Sequence, residues 1–339
     1  NGVSQATATD STSLGSNIKY GGDIQSMTST GTLSYGSVSS GAHEMHIDPS
    51  GTRMYVIFDG SNAVAQFSCT DAWTLDGCSW VQNSSVLTGS NPFGLEFSAD
   101  GLEMWHVDSS GDDVYYHTLS TAWDVSTLTY NVNSLDISAS GAHLTGFQWV
   151  DSGNSFKIND LESVAGGISN NARTQIEIWT CADPYDISAC TETSKFTSNY
   201  GNEAVTNMSP DGKTIIASNG GVYQGDTGDV VTRYDCTTAF DATTCSQTGS
   251  SVSFASTDST FFGCYVKDDG TASVCIGFAG SNWHSYSMPS EYAYTTNISG
   301  SLDEFFINSD TLTSTEIDGI SKRGTTVSPY TTTSTTFND

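Results

Sequence analysis

The sequence of 339 residues predicts an all-β fold: a β-propeller of six four-stranded blades, or of seven if the termini build another. Three observations carry this prediction. A hairpin turn recurs about every 50 to 60 residues, a ten-residue segment of fixed spacing follows it, and helical periodicity is almost absent. A repeat of this length without helices is typical of propeller blades rather than of helical solenoids.

The first hairpin of each repeat is marked by Asp or Ser shortly before Gly, with apolar runs on both sides, as in "EFSADGLEMWHV" (96–107). The turn glycines are Gly51, Gly101, Gly153, Gly212 and Gly270. A degenerate sixth copy, "FFINSDTLTSTEI" (305–317), has Thr311 at the glycine position. The repeats therefore begin near residues 40, 90, 141, 202, 258 and 301.

A third strand and a ten-residue corner follow each hairpin, and a more polar fourth strand comes after the corner. The corners are "CTDAWTLDGC" (69–78), "LSTAWDVSTL" (119–128), "CADPYDISAC" (181–190) and "CTTAFDATTC" (236–245). Their frame predicts the disulfides Cys69–Cys78, Cys181–Cys190 and Cys236–Cys245. Leu119 and Leu128 occupy the two cysteine positions of the remaining corner, where burial replaces the covalent link.

Cys264 and Cys275 flank the turn at Gly270 almost symmetrically, which predicts a fourth disulfide across a first hairpin. No CxxC motif and no zinc-spaced Cys/His cluster occurs, so we expect no metal or redox role for the cysteines.

Each corner carries an aromatic residue four positions after its first Cys or Leu. These residues are Trp73, Trp123, Tyr185 and Phe240, with Tyr292 as a further candidate. We expect them to lie over the corner and cover it at the outer rim. The alternative is an aromatic ring for carbohydrate stacking.

The predicted domain organisation is a Ser/Thr-rich extension over residues 1–30 and a single propeller over residues 31–339. The segment "GTLSYGSVSS" (31–40) resembles the fourth-strand segment "STLTYNVNS", so an N-terminal strand is expected to close the ring by completing the last blade. Residues 1–20 are then surplus, and we expect them to add as a strand to an open blade edge of another subunit.

Ten Lys and Arg against 38 Asp and Glu give a net charge of −28, which disfavours nucleic acid and anionic membranes as partners. No apolar run is long enough to span a bilayer. The eight cysteines in close pairs and the start at Asn1 rather than Met favour a mature, secreted chain. Three sequons, at Asn83, Asn207 and Asn297, are candidates for glycosylation.

The segment "PFGLEFSADGLEMWHVDSSGDDVYYHTLSTAWDVSTLTY" (92–130) resembles repeats of the YVTN/lactonase-like group of β-propellers. In that group, a P-x-G-x-x-F-S-P-D-G hairpin precedes a Val-Tyr-x-Tyr-x-Leu strand. The resemblance extends over about residues 40–300 and implies the fold. Function requires a site, because propellers host enzymes, receptors and scaffolds alike.

Candidate site residues lie at the starts of inner strands, where we expect His43, Phe93 and His143 to line the central channel. A lactonase-type enzyme would need carboxylates around a divalent cation there, and Glu44, Glu96 and Glu203 are the possible contributors. We expect no catalytic residues, no cofactor and no metal. Structural Ca²⁺ in two acidic turns is the weak alternative, with Asp108, Asp112, Asp113, Asp226 and Asp229 as ligands.

Three functions remain open at this point. The leading hypothesis is a secreted, non-enzymatic structural protein that self-associates into an extracellular filament or similar assembly. The second is an adhesin or a receptor- or glycan-binding module, such as a viral fibre component, and an aromatic groove on one face would favour it. The third is a divalent-metal-dependent hydrolase of lactonase type.

Overall fold

Antiparallel four-stranded sheets dominate the chain in a computed structural model. The structure describes residues 24–138, 144–161, 173–201, 203–219, 230–253, 261–277 and 282–288. All of these belong to one compact unit within residues 1–293, and residues 294–339 lie outside the described part.

The described strands follow the predicted order of hairpin, third strand and outer strand. In chain order they are β1 (Thr28–Ser34), β2 (Ala42–Ile47), β3 (Arg53–Phe58), β4 (Ala63–Ser68), β5 (Ser79–Asn83), β6 (Pro92–Phe97), β7 (Glu103–Asp108), β8 (Asp113–Leu119), β9 (Leu128–Asp136), β10 (Leu144–Val150), β11 (Ser155–Leu161), β12 (Arg173–Cys181), β13 (Cys190–Gly201), β14 (Glu203–Met208), β15 (Thr214–Asn219), β16 (Val230–Cys236), β17 (Cys245–Gln247), β18 (Val252–Ser253), β19 (Phe261–Val266), β20 (Ala272–Gly277) and β21 (Asn282–Ser287). The helical elements are short 3₁₀ turns at Ile24–Ser26, Val125–Thr127, Asp151–Gly153, Ile187–Ala189 and Ala242–Thr244. No helix among the described residues has the length and apolar character needed to cross a membrane.

These strands form five propeller blades. Four have the orders β2-β3-β4-β5, β6-β7-β8-β9, β10-β11-β12-β13 and β14-β15-β16-β17, with β18 also pairing with β16. The fifth has the order β19-β20-β21-β1, so its outer strand comes from the N-terminal end of the described chain. Strand β1 begins at Thr28, inside the predicted extension 1–30, and pairs Leu33 with Trp283.

The prediction of six or seven blades is wrong: the described residues build five. The inner strand of the fifth blade lies directly beside that of the first, and the rings of His46 and Tyr265 are 5.3 Å apart. This contact leaves no room for another blade between them. The degenerate copy 305–317, which was counted as the sixth blade, lies outside the described residues.

A β-bulge interrupts the inner strand of every blade. The register shifts lie between Ala42 and Met45, Pro92 and Leu95, Leu144 and Phe147, Glu203 and Val205, and Phe261 and Gly263. A bulge releases backbone groups from the ladder and turns the strand. At the propeller axis, the released N–H groups are free to bind side chains of neighbouring blades.

The ten-residue corners share one local structure. In three of them an Asp side chain after the aromatic residue accepts a hydrogen bond from the backbone N–H two positions on, which starts a 3₁₀ turn. Cys181 then lies opposite Cys190 in the ladder, as Leu119 lies opposite Leu128. The leucine pair therefore occupies the structural position of a disulfide, as the sequence predicted.

All four predicted disulfides are present, and the described cysteines include no free thiol. Cys264 and Cys275 are directly opposed in the β19–β20 hairpin. Apolar clusters fill the spaces between neighbouring blades; one packs Tyr55 of the first blade against Leu95 and Met104 of the second. Such burial between sheets is the main favourable term in a fold of this kind.

Candidate ligand-binding cleft

A cleft of about 450 Å³ opens on the face of the propeller that carries the first-hairpin turns. The inner strands β2, β6, β10, β14 and β19 all run toward this face, and residues at or near their ends line the cleft. The cleft therefore lies where the five blades converge.

The floor of the cleft is polar and comes from equivalent positions of four inner strands, occupied by His46, Glu96, Gln148 and Tyr265. Nδ1 of His46 lies 3.6 Å from Oε1 of Glu96. Gln148 donates to the carbonyl of Met208 (3.0 Å) and accepts from its N–H (2.7 Å), which fixes the third blade to the fourth. The floor thus combines an imidazole, a carboxyl, an amide and a phenol.

The corner aromatics form part of the walls. Trp73, Trp123 and Tyr185 line the cleft, each with a backbone φ near +60° and each lying against the turn glycine of its own blade. The expectation that these aromatics cover the corner at the outer rim is therefore wrong for these three. The positive φ turns the side chain back across the first-hairpin turn, toward the axis. Phe240 packs on Gly212 in the same way but does not line the cleft, and Tyr292 lies outside the described residues.

One buried donor in the wall has no acceptor within the described part of the chain. Trp149 is only 9% exposed and lines the cleft, yet its indole N–H makes no hydrogen bond. Its ring packs edge-on against Tyr185, at 5.4 Å between centroids. Because buried polar groups normally have a partner, this N–H is a place where a ligand oxygen would fit.

The mouth of the cleft is acidic. Asp151, Asp268 and Asp269 lie there beside Lys267, whose Nζ is 2.7 Å from Oδ2 of Asp269. At the floor, burial raises the pKa of Glu96, and the neighbouring His46 lowers it by less. Desolvation also raises the pKa of Asp268, whose carboxyl lies in the concave wall of the cleft. The residue as a whole is exposed to solvent.

Below the floor, the axis is filled by Glu44, which was one candidate for a metal-binding carboxylate. Its Oε2 accepts hydrogen bonds from the N–H of Leu95 (2.7 Å) and of Phe147 (3.2 Å), next to the bulges of the second and third blades. On the inner strands of the second and fifth blades, the position of Glu44 is occupied by glycine, Gly94 and Gly263. A side chain would not fit at Gly263, because an added Cβ would lie 2.4 Å from Val205. Glu44 therefore joins three blades.

A buried lysine lies near this carboxyl. Lys157 is fully buried and donates through Nζ to Oγ1 of Thr206 (2.7 Å) and to Oδ1 of Asn159 (3.2 Å). Burial lowers the pKa of Lys157, and Glu44 raises it by less; burial likewise raises the pKa of Glu44, and Lys157 lowers it by less. This polar network stabilises the centre of the ring.

Two of the predicted channel residues, His43 and Phe93, lie at the opposite ends of their inner strands from the cleft. The rings of His43 and Phe93 stack with centroids 3.7 Å apart, and Nε2 of His43 is 3.2 Å from Oδ2 of Asp59. The two side chains are therefore adjacent. His143 and the Glu203 side chain lie outside the described part.

The acidic turn at 108–113 is organised by hydrogen bonds. The carboxylate of Asp108 accepts from the backbone N–H of Ser90, Asn91, Ser110 and Gly111. Asp112 and Asp113 lie in the same turn and the following strand, and Asp226 and Asp229 lie outside the described residues. Among the described residues no group of three His, Cys, Asp or Glu is arranged to hold a metal ion.

The sequons differ in accessibility. Asn207 is buried, and its amide donates to the carbonyl of Cys264 and accepts from the N–H of Val266. The structure therefore argues against a glycan at Asn207, since attachment would break this contact. Asn83 is partly exposed on the outer strand β5, where its Oδ1 accepts from the indole of Trp80 (2.9 Å). Asn297 lies outside the described residues.

Sequence reasoning missed most of the cleft floor. His46, Gln148 and Tyr265 were not singled out, because they share a position and not a residue type. The signal was their fixed place five residues before the turn glycine of each hairpin. Trp149 was missed for the same reason.

Comparisons with known proteins gave matches only among solved structures. No protein-family model matches the chain, and no curated protein sequence matches it. Solved structures similar to it include a putative 6-phosphogluconolactonase from Bacteroides fragilis (11% identity, 62% of this chain and 55% of that chain, TM-score 0.38). Another is a putative 6-phosphogluconolactonase from Bacteroides uniformis (14%, 68% and 62%, TM-score 0.40). A third is a protein from Lactobacillus plantarum (14%, 73% and 67%, TM-score 0.44).

The chain spans less than two thirds of the length of the first two of these structures. The class defined by the strand order is a disulfide-linked β-propeller, which is the fold that the predicted resemblance implies.

Proposed function

We propose that the protein is a secreted, non-catalytic binding module that holds a glycan in the aromatic cleft. The observation that carries this proposal is the convergence of Trp73, Trp123 and Tyr185 around a polar floor at the propeller axis. Sugar rings present an apolar face to aromatic side chains, while their hydroxyl groups need hydrogen-bond partners around the edge.

The cleft supplies both kinds of contact. Tyr185 is 40% exposed although it is a large aromatic residue, so its ring is accessible for stacking. The indole N–H of Trp149 is a donor without an acceptor in the described structure, and the carboxyl of Glu96 is an acceptor at the floor. The four disulfides favour an oxidising, extracellular setting for such a module.

An array of immobilised neutral, acidic and amino oligosaccharides tests the proposal. We expect the protein to bind a subset of the glycans, and Tyr185→Ala to weaken that binding at least tenfold. Trp80→Ala is the matched control, because Trp80 is 52% exposed on the outer strand β5, away from the cleft. Binding that Trp80→Ala abolishes and Tyr185→Ala leaves intact, or no binding to any glycan, would contradict the proposal.

Self-association into a filament or similar assembly is a second candidate. It is favoured by apolar side chains exposed on outer strands: Val132, 88% exposed on β9, and Trp80 and Val81 on β5. Sedimentation should then show an assembly that Val132→Lys disrupts, while Val86→Lys, a change at an exposed loop valine, leaves it intact. A wild-type protein that stays monomeric at high concentration contradicts this candidate.

A further inference from the structure

Acidic groups outnumber basic ones around the cleft. Four carboxyl groups line it, from Glu96, Asp151, Asp268 and Asp269, against one lysine and one histidine, Lys267 and His46. Lys267 is paired with Asp269, so this pair is close to neutral. Within the described ranges, no lysine or arginine forms an ion pair with any of the other three carboxylates. The cleft therefore carries an excess of acidic groups.

The aromatic walls also suit a cation. The faces of tryptophan and tyrosine rings attract positive charge through their quadrupole. The cleft already contains one example, since Nζ of Lys267 lies 5.9 Å from the centroid of the Trp73 ring. Trp123 and Tyr185 line the same space.

The polar groups of the cleft indicate that a simple amine is not enough. Trp149 has its buried N–H donor unpartnered in the described structure, which calls for an acceptor oxygen on the ligand. Nδ1 of the buried His46 lies 3.6 Å from the Glu96 carboxyl, its partner at the floor. A ligand with hydroxyl groups and a positive charge satisfies both sets of groups.

We infer that the cleft selects cationic glycans, that is, oligosaccharides of amino sugars with free ammonium groups. This inference rests on the proposed glycan-binding function. The ammonium groups lie against Glu96 and Asp268, the sugar rings stack on the walls, and a ring or hydroxyl oxygen accepts from Trp149. The net charge of −28 adds a long-range attraction that speeds the encounter with such a polycation.

Calorimetric titration at pH 6 with a β-1,4-linked glucosamine trisaccharide tests this selectivity, and the fully N-acetylated trisaccharide is the neutral comparison. We expect the amino form to bind at least tenfold more tightly. Glu96→Gln with Asp268→Asn should reduce this preference to about twofold or less, because the variant loses more affinity for the amino form than for the acetylated form. Asp136→Asn, which removes an exposed carboxylate on β9 away from the cleft, should have no such effect.

Two other outcomes overturn the inference in different ways. If the acetylated trisaccharide binds as tightly as the amino form, and Tyr185→Ala weakens both, the cleft binds glycans without selecting charge, so the proposed function stands and this inference fails. If neither trisaccharide binds and the array also shows no glycan that depends on Tyr185, both fail together.

Discussion

The indole of Trp123 lies directly on Gly101, so that an added Cβ at Gly101 would be 2.2 Å from Cδ2 of the indole. The backbone N–H of Trp123 also donates to the Gly101 carbonyl, at 2.9 Å. Three other blades repeat this relationship between a corner aromatic and a turn glycine: Trp73 on Gly51, Tyr185 on Gly153 and Phe240 on Gly212. The turn and the corner of a blade are therefore one packed unit, and three of these units shape the cleft.

Gly101→Ala tests this packing against a glycine with the same backbone conformation. Gly101 has φ +71° and Gly249 has φ +73°, but an added Cβ at Gly249 would meet nothing within 4 Å. We expect Gly249→Ala to cost about 1 kcal/mol of unfolding free energy from backbone strain alone. Gly101→Ala should cost about 3 kcal/mol, because Trp123 must also move. Equal costs in urea denaturation would show that the glycine–aromatic contact adds nothing.

Leu119→Cys with Leu128→Cys should form a fifth disulfide, because the two residues are directly opposed as the corner cysteines are. Closing a loop of this size stabilises by about 2–3 kcal/mol in the chain-entropy model, and the lost leucine burial offsets about 1–2 kcal/mol of it. Thiol titration should find no free thiol, and the urea midpoint should rise. The single variant Leu119→Cys is the control, since it loses part of this burial and its thiol has no partner. Two titratable thiols in the double variant would show that the leucine pair is not equivalent to a disulfide.

The buried pair His106 and His117 should make stability fall in acid. Nε2 of His117 lies 3.0 Å from Nδ1 of His106, whose Nε2 lies 3.0 Å from the Thr88 carbonyl. Burial lowers the pKa of His106 to about 4 and, with the neighbouring His106, that of His117 to about 2. The unfolded chain binds protons on both residues near pH 6.5, before the folded protein does, so stability decreases as the pH falls from 6.5 toward 4.

The expected loss from His106 alone is about 3 kcal/mol between pH 7 and pH 4. His106→Gln with His117→Gln should flatten this part of the stability curve. The difference between variant and wild type at pH 7 reports the packing cost, and its change with pH reports the protonation. Parallel curves for the two proteins would show that these histidines do not titrate on unfolding.

The turn glycines, the corner frame and all four disulfides were predictable from the sequence, because each depends on residues close together in the chain. The blade number was not. The sequence predicted that an N-terminal strand completes the last blade, but a repeat count cannot show that this blade is the fifth, since the pairing of β1 with β21 joins residues some 250 positions apart. The degenerate copy at 305–317 was therefore counted as a blade.

The sequence indicated the aromatic walls of the cleft but not its floor. The recurring aromatics suggested either rim packing or a stacking surface, and only the positive φ of Trp123 and its equivalents decides their direction. The floor was hidden because propeller symmetry places four different residue types, including His46 and Tyr265, at one structural position.

Glu44→Ala should destabilise the ring far more than Glu44→Gln. The alanine variant leaves the buried N–H groups of Leu95 and Phe147 without their acceptor, at a cost of about 3 kcal/mol or more, whereas the glutamine carbonyl still accepts them. Urea denaturation of both variants gives the comparison. Similar midpoints would mean that the carboxyl group does not join the three blades.

The indole N–H signals of the tryptophans test most directly whether a glycan binds in the aromatic cleft. The chain has seven tryptophans, and each gives one indole N–H signal in a ¹H–¹⁵N spectrum, assigned by single Trp→Phe variants. On titration with the oligosaccharide that binds best on the array, the signals of Trp73, Trp123 and Trp149 should shift together. Those of Trp80 on the outer strand and the fully buried Trp283 should stay in place. A shift of Trp80 with the three cleft signals unmoved would contradict binding in the aromatic cleft.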